Sequence, residues 1–216
     1  MRRLVNFGSR CIETEVVGTG KKTVVILPGM NCPIDDWNEV IRAVSRDCRV
    51  IAFNRAGCGS SEPNPDGPSV LNTVAEISQE IDTRLTPHQL TLPSNVQQRI
   101  IEFSTNPVLY STMVKEVEIW RQCAQETKTA EPFPEVPLKV IARDPQYSMK
   151  LMAQDGIPVS EAELFELTWN KLLVEQAELS PRGELIIAEH SGHSVHEYRP
   201  DIIIDAIRNV LRSKMC

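Results

Sequence analysis

The chain has 216 residues and a net charge of −6, and one domain with a substantial core is expected at this length. Its acidic balance gives no electrostatic reason to expect a nucleic acid or an anionic membrane as partner, since both attract basic proteins. No apolar run approaches the length that spans a bilayer, so we expect a cytoplasmic protein. Six cysteines without metal-like spacing predict free thiols, and neither a metal nor a cofactor is expected.

The first part of the chain predicts a strand, a helix and a strand in succession. The alternation of apolar and polar residues from Cys11 to Val17 is typical of a half-exposed edge strand. The β-branched run from Thr23 to Leu27 indicates a parallel strand buried on both faces. An amphipathic helix is predicted from Ile34 to Val44, and a second buried strand from Arg49 to Phe53. Short links between these elements favour a right-handed parallel crossover.

The middle of the chain predicts helices only. The spacing of apolar residues predicts a helix over Ser69–Ile81, and no strand is predicted between residues 83 and 137. A helical stretch between two α/β parts is typical of a cap. We therefore predict a single domain over residues 1–216, with a core formed by residues 1–82 and 136–216 and a helical cap over about residues 83–135.

The C-terminal part returns to strands alternating with helices. The predicted elements are a strand at Leu138–Ala142, a helix from Ser160 to Leu179, a strand at Leu185–Ala188 and a helix from Asp201 to Arg212. The pattern as a whole predicts an α/β protein, a three-layer α/β/α sandwich around a mostly parallel sheet.

Three short motifs stand in loops that follow predicted strands. They are Pro28-Gly29-Met30, Asn54-Arg55-Ala56-Gly57-Cys58-Gly59-Ser60-Ser61 and Gly192-His193. In this order, and with this pattern of strands and helices between them, they resemble the α/β-hydrolase superfamily. The resemblance is closest to small esterase-like and peptidase-like members with a helical cap, and it extends from about residue 11 to 212.

This resemblance implies a site for acyl transfer. His193 stands where the superfamily has its catalytic histidine, and Asp144 where it often has the acid that orients the histidine. Gly29 and Met30 would form the oxyanion loop, with the Met30 N–H as one donor. Asp144 also has a structural interpretation, because an Asp before Pro145 commonly forms a turn.

The nucleophile of such an enzyme is missing from the sequence. No Gly-x-Ser-x-Gly occurs, although that motif carries the reacting serine in the superfamily. The resemblance places it on a strand–elbow–helix–strand unit, and here Ile81 leads directly into the predicted cap. An internal deletion, a splice variant or an error in the gene assembly would each explain the gap. With that strand gone, we expect Thr23–Leu27 to pair with Leu138–Ala142.

Other residues near the motifs are poor substitutes for the nucleophile. Cys32, Ser60 and Ser61 do not lie on a strand-to-helix elbow. His190 and His196 flank His193, but their spacing suits a metal site on a helix better than one in this loop, so no metal site is predicted.

Two functions therefore stand as alternatives. One is a relative of serine hydrolases that act on carboxylic ester or amide bonds of small molecules, impaired because it lacks the nucleophile. The other is a non-catalytic ligand-binding or interaction module on a hydrolase-derived scaffold. A small-molecule acyl ligand suits either function. The sheet edge left by the missing strand adds the expectation of a homo-oligomer.

Overall fold

A computed structural model describes residues 2–7, 10–63, 85–128 and 132–213 of the chain. The chain divides into two units, Met1–Ala130 and Glu131–Cys216. The helix predicted over Ser69–Ile81 lies outside the described residues. None of the helices within the described ranges is both long enough and apolar enough to cross a membrane.

The N-terminal unit is built on a four-stranded sheet. Its strands are β1 (Arg2–Phe7), β2 (Arg10–Val17), β3 (Thr23–Ile26) and β4 (Arg49–Phe53). Their order in the sheet is β1-β2-β4-β3. The two pairs that involve β2 are antiparallel, whereas β3 and β4 are parallel. Strands β2, β3 and β4 form where the sequence predicts them, but β3 is not buried on both faces as predicted, since two of its four residues are exposed.

Strand β1 is not predicted from the sequence, and it changes the position of β2. The two strands form a hairpin in which Val5 lies opposite Ile12. Strand β2 therefore has a neighbour on each side, and its prediction as an edge strand is wrong. The reason is physical: alternation reports which face of a strand meets water, but not whether its two edges are paired.

A helical segment after β3 supplies the core of this unit. A 3₁₀ turn at Ile34–Trp37 leads into α1 (Asn38–Val44), which confirms the predicted helix. Helix α1 contacts β4. The buried apolar residues of these two elements are Val40, Ile41, Val44, Val50 and Ala52.

Two longer helices, α2 (Ser94–Ser104) and α3 (Pro107–Lys128), occupy the region predicted as a cap. Helix α3 begins at a proline, whose fixed φ suits the first helical position. Phe103 and Leu109 form a buried cluster with Cys58, which lies in the loop after β4. The helices thus pack against a loop at the C-terminal end of a strand. The domain boundaries drawn around the cap stay a prediction.

Gly57 allows α3 to approach this loop closely. Its φ is +77°, and a Cβ at this position would collide with the Thr112 side chain of α3. A larger residue would therefore meet both a strained backbone and a steric conflict.

The C-terminal unit contains two parallel strands, β5 (Leu138–Arg143) and β6 (Gly183–Ala188). Its helices in the described residues are α4 (Pro145–Gln154), α5 (Val159–Ala177), α6 (Val195–Tyr198) and α7 (Pro200–Arg212). Helix α5 contacts both strands. Strands β5 and β6 and helices α5 and α7 form where they are predicted. Helices α4 and α6 are not predicted from the sequence.

Strands β3 and β5 belong to different sheets, so the predicted pairing of Thr23–Leu27 with Leu138–Ala142 is wrong. That prediction assumes a buried edge, whose backbone groups would need a partner from the protein. Part of the β3 region is exposed: Val25 is 53% and Leu27 69% exposed, although Ile26 between them is buried. Water can therefore satisfy the backbone groups at this edge.

Candidate active site

The loop after β3 contains Gly29 and Met30, the residues predicted to form an oxyanion loop. The next residue, Asn31, has a φ of 54°, a left-handed conformation that turns the backbone sharply. Within the described residues, the Met30 N–H donates to no other group. An N–H without a partner in a tight turn can donate to an oxyanion. The role itself stays a prediction.

The turn after β4 is held together by buried polar groups. Asn54 Oδ1 accepts a hydrogen bond from the Ile34 N–H at 3.0 Å, and its Nδ2 donates to Glu13 Oε2 at 2.7 Å. Ser61 Oγ donates to the Asn54 carbonyl at 2.8 Å and accepts from the Glu13 N–H at 2.9 Å. The buried Ser61 hydroxyl therefore stabilises the turn.

The other two candidate nucleophiles also have local roles. Cys32 Sγ accepts a hydrogen bond from Trp37 Nε1 at 3.3 Å. Ser60 is exposed, and its backbone N–H donates to Glu13 Oε2 at 3.0 Å. Neither of these two contacts is with a base that could activate the side chain as a nucleophile.

A buried carboxylate, Asp35, joins distant parts of the N-terminal unit. Its Oδ2 lies 2.6 Å from Arg2 Nη1, and its Oδ1 lies 2.7 Å from Arg99 Nη2. Burial acts to raise the pKa of Asp35, but the hydrogen bonds and charges of the two guanidinium groups outweigh it and hold this pKa below its ordinary value. The three residues line a polar cleft of about 220 Å³. No sequence motif marks such a cluster.

Asp144 follows β5 directly and acts as the N-cap of α4. Its Oδ1 accepts from the N–H groups of Gln146 at 2.9 Å and Tyr147 at 3.2 Å, and its Oδ2 accepts from the His190 N–H at 2.9 Å. The His190 N–H makes the largest contribution to lowering the pKa of Asp144 below its ordinary value, and the other two N–H groups add to it. The carboxylate thus stabilises both a helix terminus and the loop after β6.

His193 lies in that same loop, and its side chain is exposed. The described residues contain no hydrogen bond between His193 and Asp144. Instead, His193 Nδ1 lies 3.5 Å from Arg143 Nη1, and its ring meets the Trp169 ring edge-on with centroids 6.4 Å apart. Asp144 therefore contacts the loop that carries His193, but the structure does not join the two residues as an acid–base pair.

Three residues are not anticipated from the sequence: Arg143 and Trp169, which lie beside His193, and Glu166, which pairs with Arg143. Arg143 is the last residue of β5, while Glu166 and Trp169 lie on α5. Arg143 Nη2 and Glu166 Oε1 form an almost fully buried ion pair at 2.6 Å. The residues are far apart in the chain, so the sequence offers only weak signals, namely a charged residue ending a buried strand and a Glu-x-x-Trp spacing that puts both side chains on one helix face.

No protein-family model matches the chain, and no curated protein matches its sequence. Several solved structures resemble it. A probable hydrolytic enzyme from Pseudomonas aeruginosa PAO1 has a TM-score of 0.63 and 11% identity, and the alignment covers 99% of this chain and 95% of that one. A serine hydrolase involved in carbazole degradation has a TM-score of 0.58 and 14% identity, with 98% of each chain covered.

An alpha/beta hydrolase fold protein from Burkholderia ambifaria gives a similar result. Its TM-score is 0.57 and its identity 14%, and the alignment covers 97% of this chain and 100% of that one. At these identities the likeness is one of fold alone. It confirms the fold class predicted from the sequence.

Proposed function

We propose, from the premise that this chain has the α/β-hydrolase fold, that it is a relative of serine hydrolases acting on carboxylic ester or amide bonds of small molecules, and that most of this activity is lost. The observation that carries the proposal is a Gly192-His193 pair after the last strand, where the resemblance implies the catalytic histidine, in a sequence without Gly-x-Ser-x-Gly. A general base contributes roughly 10²–10⁴-fold, but only with a proton to remove within hydrogen-bond reach.

The contacts of the candidate residues support this proposal. The Ser61 hydroxyl is used in a buried turn, and the Asp144 carboxylate accepts three backbone N–H groups. The Met30 N–H donates to no group in the part of the chain that the structure describes, which is compatible with binding a carbonyl oxygen, so a small acyl ligand is the proposed partner. A cytoplasmic location is part of the proposal, because the described cysteines are free thiols, as is usual in a reducing compartment.

The test is the hydrolysis of p-nitrophenyl acetate and p-nitrophenyl butyrate by the purified chain. We expect the wild type to be no faster than its His193→Ala variant. His88→Ala, which alters a histidine of the N-terminal unit, is the matched control. A wild type that is about a hundredfold faster than His193→Ala would contradict the proposal, because a base that contributes this much has a nucleophile to activate.

The second candidate is a non-catalytic interaction module, and the exposed β3 edge favours it. Strand β3 is the last strand of its sheet, and Val25 and Leu27 are more than half exposed. An unpaired apolar edge is a template for strand addition by another chain. A homo-oligomer joined at β3 is the corresponding proposal, and its test is the oligomeric state in solution.

A further inference from the structure

Arg143 is held in one position by contacts on several sides. Its Nη2 pairs with Glu166 Oε1 at 2.6 Å, and both side chains are less than one-tenth exposed. Its Cζ lies 4.9 Å from the centroid of the Trp169 ring and 5.5 Å from that of the Phe165 ring. Both distances are within the range of cation–π attraction. The guanidinium therefore has little freedom to reorient.

This arrangement is a weak source of stability. Arg143 Nε and Glu166 Oε2 are buried and have no hydrogen-bond partner among the described residues. Each unsatisfied buried polar atom costs free energy, and a buried ion pair often gives no net stabilisation even when it is fully satisfied. The pair therefore matters more for the neighbouring side chain that Arg143 orients than for the stability of the fold.

The group that Arg143 faces is His193. Arg143 Nη1 lies 3.5 Å from His193 Nδ1, at the outer limit of a hydrogen bond. A guanidinium has only donors and stays protonated, so in a hydrogen bond between the two groups Nδ1 must be the acceptor. A neutral imidazole carries a single proton. If Nδ1 presents its lone pair to Arg143, the proton is on Nε2.

A general base in a serine hydrolase requires the opposite arrangement. There, Nδ1–H donates to a carboxylate, and the lone pair of Nε2 accepts the proton of the nucleophile. We propose that Arg143 is a positioning residue that fixes neutral His193 in the Nε2–H tautomer, and that His193 is thereby a hydrogen-bond donor to an acyl carbonyl or carboxylate oxygen. This inference deepens the proposed function and rests on it for the class of ligand.

The tautomer can be measured directly by long-range ¹H–¹⁵N correlation spectroscopy of uniformly ¹⁵N-labelled protein. The spectra are recorded at a pH above which they no longer change. The chain has four histidines, and the His193→Gln variant assigns the signals of His193. We expect Nδ1 to resonate far downfield, as an unprotonated nitrogen does, and Nε2 upfield. A protonated Nδ1 in the wild type would overturn the proposal.

The role of Arg143 is tested with Arg143→Leu, which removes the donors and retains apolar bulk. We expect the two ¹⁵N shifts of His193 to move toward each other as both tautomers become populated. Arg212→Leu, at an exposed arginine of α7, makes the same charge change and should leave the shifts unaltered. Unchanged His193 shifts in folded Arg143→Leu would overturn the role assigned to Arg143.

Removal of Arg143 alone leaves Glu166 buried without its partner, and this can unfold the protein. The double variant Arg143→Leu/Glu166→Leu removes both charges, and circular dichroism verifies its fold. It should show the same convergence of the His193 shifts. These readouts do not depend on turnover. If hydrolysis depends on His193 while Nδ1 is found unprotonated, the proposed loss of activity is contradicted, but the tautomer assignment stands.

Discussion

The Asp144 carboxylate accepts a hydrogen bond from the His190 backbone N–H at 2.9 Å, and this bond joins the end of β5 to the loop after β6. In the reverse direction, the Asp144 N–H donates to the Ser191 carbonyl at 3.1 Å. His190 has a φ of 60°, so the loop turns through a left-handed residue at this point. The two bonds fix the segment that carries His193.

Replacement of Asp144 tests its role as a helix cap. We expect Asp144→Ala to lower the free energy of unfolding by about 1–2 kcal/mol, because three backbone N–H groups lose their acceptor. Asp144→Asn should cost less, since an amide oxygen still caps the helix. Urea denaturation provides the measurement. Asp155→Ala, an exposed acid beyond the end of α4, is the control, and an equal loss in that variant would argue against the cap.

The Arg2–Asp35–Arg99 cluster predicts a specific acid sensitivity. The pKa of Asp35 is held below its ordinary value of 3.8, so the stability that it contributes is present above that value. It is lost as the pH falls through the lowered pKa. The urea midpoint of the wild type should therefore fall more steeply on acidification than that of Asp35→Asn. Parallel pH profiles for the two proteins would contradict this expectation.

At neutral pH the same cluster should be costly to break. Breaking a buried ion pair lowers the free energy of unfolding by about 3–5 kcal/mol. We expect Asp35→Ala to fall toward the lower end of this range, because Arg2 and Arg99 are part-exposed. Glu39→Ala, at an exposed acid on α1, should change the unfolding free energy by less than about 0.5 kcal/mol.

The two cysteines Cys58 and Cys123 should differ strongly in reactivity. Burial, and to a lesser degree the charge of Glu116, raises the pKa of Cys58 to about 11. At pH 8 a thiol of this pKa is thiolate in only about 0.1% of molecules, whereas an ordinary thiol is roughly 20% thiolate. Cys123 is exposed. Mass spectrometry after brief iodoacetamide treatment should find Cys123 modified well before Cys58, and the reverse order would show that the loop after β4 is open.

The β3 edge predicts self-association that a single charge can prevent. We expect the wild type to form dimers or larger species in analytical ultracentrifugation. Val25→Lys should shift it toward monomer, because a lysine on an edge strand opposes pairing with another strand. Val114→Lys replaces a partly exposed valine of α3 and serves as the control. A monomeric wild type, or equal dissociation in both variants, would exclude association through β3.

The fold was largely predictable because its signals are local. The apolar run of β4 and the apolar spacing of α7 each depend on neighbouring residues, and both elements form where they are predicted. Strand β1 could not be found in this way, since Arg2–Phe7 becomes a strand by pairing with β2. The parallel pairing of β3 with β4 agrees with the predicted crossover, but the lack of a β3–β5 ladder could not be predicted, because a local pattern does not report which distant strand lies alongside.

In the candidate site, too, local signals could be found in the sequence, whereas long-range contacts could not. His193 and Asp144 can be located from the sequence, because each follows a predicted strand and His193 also stands in the Gly192-His193 motif. The partners that decide their chemistry cannot be located. Arg143 meets Glu166 across 23 residues and His193 across 50, and only the packing of α5 on the strands brings these groups together.

The strand ladders of the two units are separate, and this has a consequence for cleavage of the chain. Every strand pairing among the described residues joins two segments of the same unit. A protease that cut between residues 130 and 131 would therefore interrupt none of these ladders. The strand ladders by themselves therefore give no reason for either unit to lose its sheet when the chain is cut at this boundary.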